Sequence, residues 1–357
     1  MVTPPAADDA EHNPLTTKDG WRRFAHDTPT CPPLLPAKEF KGLSDHARVA
    51  YNEPRLDYHA RLAVVATPTV RSVFTTGRRL VLLNRHQISG RRGLIVTGQA
   101  GTGKTTAITQ LGRNHELLVR QRLGPAAEGR LPVVYVTVPP GATPKMLAIE
   151  FARFLGLPIV RGETQTSITN AVCDLLIRMR VELALVDEIH NLNLATRAGA
   201  EASDQLKYLS ERIPATFVLA GIDVAGSGLF NGIRGQQIAG RYTVTETEPF
   251  AYGTAAQRQD WRSLIASLED TLQLHRHKPG SLVKLDRYLH ERTDGAIGSL
   301  SQLIRGAASE AIISGSEAIT RKTLEAIEVD QAAETARTER RKTRKPPRRR
   351  RPDADAA

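Results

Sequence analysis

Apolar residues recur along this chain with two different periods, and the alternation between them predicts the architecture. Uninterrupted runs stand at Leu94-Ile95-Val96-Thr97, Val133 to Val138, Leu183-Ala184-Leu185-Val186 and Thr216-Phe217-Val218-Leu219-Ala220. Each has the length and continuity of a strand covered on both faces. Between them the spacing becomes helical. Ile108, Leu111 and Leu118 follow the first run, and Leu147, Phe151, Phe154 and Leu155 fall at i, i+4, i+7 and i+8 after the second. Thr143-Pro144 opens that helix, and Gly156 with Pro158 closes it. A further helix is expected from Ser167 to Arg180, and Ala202, Leu206, Leu209 and Ile213 mark a long amphipathic one. Strand–helix–strand–helix order predicts an α/β fold with a doubly wound parallel sheet.

A last short strand is expected near Tyr242-Thr243-Val244-Thr245, after which only helical patterns remain to Asp330. Trp261, Leu264, Ile265 and Leu268 form one apolar face; Leu300, Leu303, Ile304, Ala307 and Ala311 form another. These read as core faces of a smaller C-terminal helical domain. Helical character also dominates from His46 to Arg92, with Leu80 and Leu83 read as facing a core. The expected layout is a flexible arm (1–45), a helical segment (46–92), an α/β domain (93–249), a helical domain (250–330) and a tail (331–357).

Composition changes this picture at the tail. The net charge is +11, but residues 337–352 hold ten Lys or Arg and one Glu, so +9 resides there and +2 elsewhere. Such a run forms no core and reads either as a solubilising terminus or as a contact to nucleic-acid phosphates. It contains no aromatic residue, which argues against base stacking by the tail. Two distant cysteines, Cys31 and Cys173, suggest reduced thiols and a cytoplasmic setting. No apolar run approaches 18 residues, and the acidic, polar start is unlike a secretory signal, so no membrane association is expected.

The chemistry concentrates in two places. Gly98, Gln99, Ala100, Gly101, Thr102, Gly103, Lys104 and Thr105 spell G-x-x-x-x-G-K-[ST] between a strand and a helix, with Thr106 counted in the same phosphate-binding set. Glycines let backbone amides curl around phosphate oxygens, and the helix end adds positive partial charge. Lys104 is expected to reach the β- and γ-phosphates of ATP, and the Thr105 hydroxyl to bind Mg2+. About 80 residues on, the apolar strand ends in Asp187 and Glu188. Asp187 is the expected second ligand of Mg2+, and Glu188 the group that orients attacking water, giving an ATPase.

The run Val186-Asp187-Glu188-Ile189-His190-Asn191-Leu192 resembles the second ATPase motif of the TniB and TnsC group of transposition proteins, AAA+ ATPases related to MuB and IstB. Gln205-Leu206-Lys207-Tyr208-Leu209 resembles the helix after that motif, Thr143 to Pro158 their second helix, and Thr293 to Leu300 the start of their lid helix. The similarity spans roughly residues 46–330. It implies a P-loop NTPase fold of the AAA+ type with a C-terminal helical lid, assembly into a ring or filament with ATP on double-stranded DNA, and engagement of a DDE or integrase-type transposase. Location with the nucleoid follows from the same resemblance. It also implies an arginine finger ahead of the last core strand, for which Arg241 is the candidate and Arg234 the reserve; a surface arginine or a salt bridge is the plainer reading of either. His190 is read as no more than a support for Glu188.

Two departures from the AAA+ pattern stand out. The sensor position after the fourth strand holds no clear polar residue, Asp223 being either that sensor or a helix cap. Gly298 occupies the place of the usual nucleotide-sensing arginine, with Arg305 two turns beyond. Both suggest slow, regulatory hydrolysis. A helicase loader or replication-type AAA+ ATPase is the alternative, although the 27 residues after Asp330 leave no room for the winged-helix domain of an initiator. A signalling scaffold that binds ATP without turnover is the third reading.

Overall fold

Among the described residues of the computed structural model, four of the five strands are buried along nearly their whole length, which is why they read as unbroken apolar runs. The structure describes residues 13–61, 63–192, 196–224, 239–331 and 333–335. Along the chain run α1 (Lys18–His26), α2 (Ala37–Gly42), α3 (Asp45–Ala60) and α4 (Pro68–Asn84). The α/β region follows with β1 (Gly93–Gly98), α5 (Lys104–Leu123), β2 (Val133–Thr137), α6 (Pro144–Leu155) and α7 (Gln165–Arg178). It continues through β3 (Leu183–Asp187), α8 (Arg197–Arg212), β4 (Thr216–Gly221) and β5 (Tyr242–Thr247). Helices α9 (Ala255–Glu269), α10 (Asp286–Thr293), α11 (Ile297–Ile313) and α12 (Arg321–Ala326) complete it. None of the described helices is long and apolar enough to cross a membrane.

The chain divides into two compact units: residues 1–29 with 66–248, and residues 30–65 with 249–357. In the first, the strands lie in the order β2-β3-β4-β1-β5, and every pairing is parallel. This is the doubly wound sheet expected from the sequence. Three of its crossover helices, α6, α7 and α8, start on threonines whose side chains accept backbone N–H groups of the first turn: Thr143 from Met146, Thr164 from Ser167 and Thr196 from Gly199. Leu147, Phe151 and Phe154 on α6 are fully buried, as are Ala202, Leu209 and Ile213 on or beside α8. Leu83 departs from its expected role. It is 56% exposed while Leu80 is buried, because α4 presents only one stripe to the sheet.

Residues 18–26, placed in an arm by sequence pattern, form α1 instead. Its Trp21 is fully buried, stacked 6.1 Å from Tyr135, against a place on α5 where only glycine fits: a Cβ on Gly112 would lie 2.6 Å from the indole.

The second unit is helical. The 46–92 segment is thus divided, α3 belonging here and α4 with the sheet. Trp261, Leu264, Ile265, Leu300, Leu303 and Ile304 share one apolar core, as their spacing predicts. On α3, Arg55 is wholly buried and uses all five N–H groups. It meets Glu317 through two bonds of 3.0 and 2.5 Å, Asn52 at 2.9 Å, and the Gln273 carbonyl at 3.3 and 2.7 Å. His59 accepts the Gln273 amide at 3.2 Å, and burial, reinforced by the Arg55 charge, pushes its pKa down to about 4. Cys31 and Cys173 are both free thiols.

Candidate functional site

Parallel strands end on one side of the sheet, so the loops after β1 and β3 meet there. The loop after β1 is shaped by glycines that cannot be replaced without strain. Gly98, Gly101 and Gly103 have φ of 146°, 74° and 88°, and a Cβ on Gly98 would lie 2.0 Å from the Thr247 carbonyl oxygen. The loop leads directly into α5, which begins at Lys104. Beneath the loop, Thr102 donates to the Gln99 carbonyl at 2.7 Å and lies 2.6 Å from the Thr247 hydroxyl, which donates to the Thr97 carbonyl. These hydroxyls tie the loop to the sheet floor. Ala100 is exposed at the loop's crest, and Thr106 is half-buried on the first turn of α5.

Lys104 donates to the carbonyls of Gly98 and Gln99 at 3.0 and 2.6 Å. Partial burial lowers its pKa, against the upward pull of Glu188 and Asp187. The Thr105 hydroxyl donates to Asp187 at 2.7 Å. Asp187 is buried, and the same oxygen accepts a bond from Tyr135 at 3.1 Å, while its other oxygen accepts the Glu188 amide. Burial, with the Asp187 charge added, holds the Tyr135 phenol well above its usual pKa, so it acts as a neutral donor. A hydroxyl and a carboxylate 2.7 Å apart beside a glycine cradle form the oxygen set that suits Mg2+ and a triphosphate.

Glu188 differs from its neighbour. Its backbone is left-handed (φ 58°), its side chain is 42% exposed, and His190 lies 3.2 Å away. The other ring nitrogen of His190, Nδ1, accepts the Ile222 amide at 3.3 Å. An accepting Nδ1 leaves the proton on Nε2, aimed at the Glu188 carboxylate. His190 therefore joins Glu188 to the turn after β4, where Val224 also donates to Thr97.

The structure brings Gly98 to Thr106, Asp187 and Glu188 together. Arg241, just before β5, pairs with Glu211 at 2.7 Å, away from the loop. Arg234 and the basic run 337–352 lie outside the described residues. Asp223 has a left-handed backbone in the turn after β4. Arg305 is engaged elsewhere, donating to the His59 and Ala60 carbonyls at the end of α3. Sequence reading missed Tyr135; its signal was a single phenol inside the otherwise β-branched run from Val133 to Val138.

Comparison with known proteins agrees with this geometry. Residues 85–224 match the family described as an AAA domain. No curated protein matches the chain. Among solved structures, it is similar to the Aeropyrum pernix ORC1 protein in complex with DNA, at 18% identity and a TM-score of 0.54, over 79% of this chain and 67% of that one. It is also similar to the Aeropyrum pernix ORC2 protein in ADPNP-ADP complexes, at 16% identity and 0.53, over 89% and 71%. The fold is that of AAA+ P-loop NTPases.

Proposed function

We propose that this chain is an ATPase that assembles with ATP on double-stranded DNA, regulates transposition there, and disassembles after slow hydrolysis. The observation that carries the reading is the pairing of a glycine cradle with two adjacent carboxylates of opposite exposure, Asp187 buried and Glu188 open. Loop amides and Lys104 hold the phosphates, and Thr105 with Asp187 hold Mg2+. When bound, that ion neutralises charge on the phosphoryl oxygens. Glu188 orients and polarises water, and His190 positions Glu188. Arg241 serves as the finger toward a neighbouring copy once it leaves Glu211.

Duplex DNA as partner is supported by the ORC1 protein of like fold being in complex with DNA, and by the ten cations of the tail. Transposition, with a DDE or integrase-type transposase as partner, rests on the TniB resemblance. The likeness to ORC proteins favours a second reading, a replication-type ATPase or helicase loader. Hydrolysis measured with and without duplex DNA tests the shared core. Turnover is expected in the full chain and absent from Lys104→Ala, which loses ATP affinity; unchanged affinity in that variant overturns the site. Capture of an integrase-type transposase in the ATP form, rather than a replicative helicase, separates the two readings.

A further inference from the structure

At the amino ends of the strands, on the far side of the sheet from the phosphate loop, the first unit holds a half-open cavity of about 530 Å3. A six-residue strand separates the two levels, a distance of about 20 Å. Its walls carry Arg85, Arg91, Arg130, Arg178 and Arg180 against a single carboxylate, Glu182. They come from four separate places: the end of α4, the approach to β1, the approach to β2, and the link from α7 to β3. Glu182 is already occupied, facing Arg122 at 3.2 Å, His115 at 3.4 Å and Arg85 at 3.8 Å. Arg91, Arg130, Arg178 and Arg180 have no carboxylate partner among the described residues. Like charges gathered this closely repel one another, and an anion relieves that repulsion.

A second basin of about 320 Å3 adjoins the first, sharing Val81 and Arg85 and adding Arg78 and Arg122. The cations therefore form a row across two open hollows. Between them the first hollow is lined by Val81, Ile177, Val181, Asn84 and Thr216 with no aromatic side chain, and the His115 ring of the second is buried and faces Glu182 at 3.4 Å, so no open ring face among these lining residues meets a base. Guanidinium groups match phosphate oxygens two by two. A surface that binds phosphates in a row and ignores bases suits the backbone of a nucleic acid.

We propose that this arginine row is a phosphodiester-backbone site through which the α/β unit contacts duplex DNA, independently of the basic tail and of the nucleotide site. The inference rests on the reading that the chain binds duplex DNA and adds where it does so. Phosphates presented at regular intervals along a duplex fit an extended row better than a soluble anion, which would fill one hollow and leave the other.

The test uses the full chain with saturating ATP and a fluorescent duplex, reading anisotropy across a salt series. Arg91→Gln/Arg130→Gln/Arg178→Gln is expected to bind the duplex at least tenfold more weakly. Its log affinity against log salt should be shallower by about 0.9 for each phosphate that is no longer neutralised. ATP affinity should be unchanged, and the matching triple Lys variant should recover most of the binding. Arg178→Gln alone, at an exposed position, reads the same slope should the triple variant fail to fold. Wild-type affinity and slope in these variants overturn the site while leaving DNA binding intact. Failure of the wild-type chain to bind any duplex overturns both. Binding of inorganic tripolyphosphate or poly-glutamate that the variant loses, with duplex binding unaltered, assigns the row to a soluble anion or an acidic peptide and also overturns it.

Discussion

In the α/β unit one set of buried polar groups gathers at the carboxyl ends of the strands, where Asp187, Tyr135, Thr97, Thr102 and Thr247 meet beneath an open loop. In the helical unit they lie deep inside, where Arg55 and Glu317 have no exposed side-chain surface at all. The first unit places that set where a ligand can answer it. The second closes an ion pair on itself, so its charges serve attachment of α3 and not chemistry. Buried charge alone is therefore a poor guide to function in this molecule. What marks the site is a buried carboxylate beside an exposed one, next to a backbone that only glycine can follow.

The sharpest way to separate the two regions is to remove one carboxylate from each. Glu188→Gln should lower ATP turnover by about 10²- to 10⁴-fold, as expected for loss of a group that handles the attacking water, while ATP affinity and thermal stability hold. Phosphate release and nucleotide binding measured on the same preparation check it; normal turnover would assign the water to another residue.

In the helical unit the effect should be on folding. Arg55→Met leaves Glu317 buried and unpaired, at a cost of about 3–5 kcal/mol. Arg55→Met/Glu317→Leu should recover most of that loss, because it removes both charges. Denaturant unfolding of the full chain, with hydrogen exchange to locate the change in residues 30–65 and 249–335, checks both. A single variant as stable as the wild type would make the pair incidental.

His59 gives the smallest effect and a sign that can be worked out. Its pKa falls from 6.5 to about 4 on folding, so the unfolded chain binds the proton first as pH drops. Stability contributed by the neutral ring is complete above about pH 6.5 and is lost progressively down to about pH 4, by roughly 3 kcal/mol. His59→Gln keeps an acceptor for the Gln273 amide without titrating, so hydrogen exchange in the helical unit should depend less on pH between those limits. An unaltered profile would place the titration elsewhere.

Much of the fold could be read from the sequence because its signals are local. The four apolar runs became β1 to β4, and the helical stripes from Leu147 to Leu155 and from Trp261 to Leu268 became core faces. The glycine loop and the Asp187-Glu188 pair were legible for the same reason, as short motifs with fixed neighbours. Long-range packing left no such trace. Arg55 and Glu317 are 262 residues apart, and no spacing rule joins α3 to the C-terminal helices. Trp21 sits on a nine-residue helix, too short for a periodic pattern amid many prolines, and its burial depends on Gly112 far along the chain. Tyr135 is recognisable as an Asp187 partner only once β2 and β3 lie side by side. The arginine row is likewise scattered from residue 78 to residue 180 and assembles only in three dimensions.

The central claim is that a triphosphate held by the loop and by Asp187 joins copies of the chain along a duplex. Sedimentation velocity of the purified full chain with a long duplex, with ATP in one cell and ADP in the other, tests it most directly. The account predicts a fast-sedimenting protein–DNA species with ATP that disperses with ADP. Identical slow boundaries under both nucleotides would contradict it.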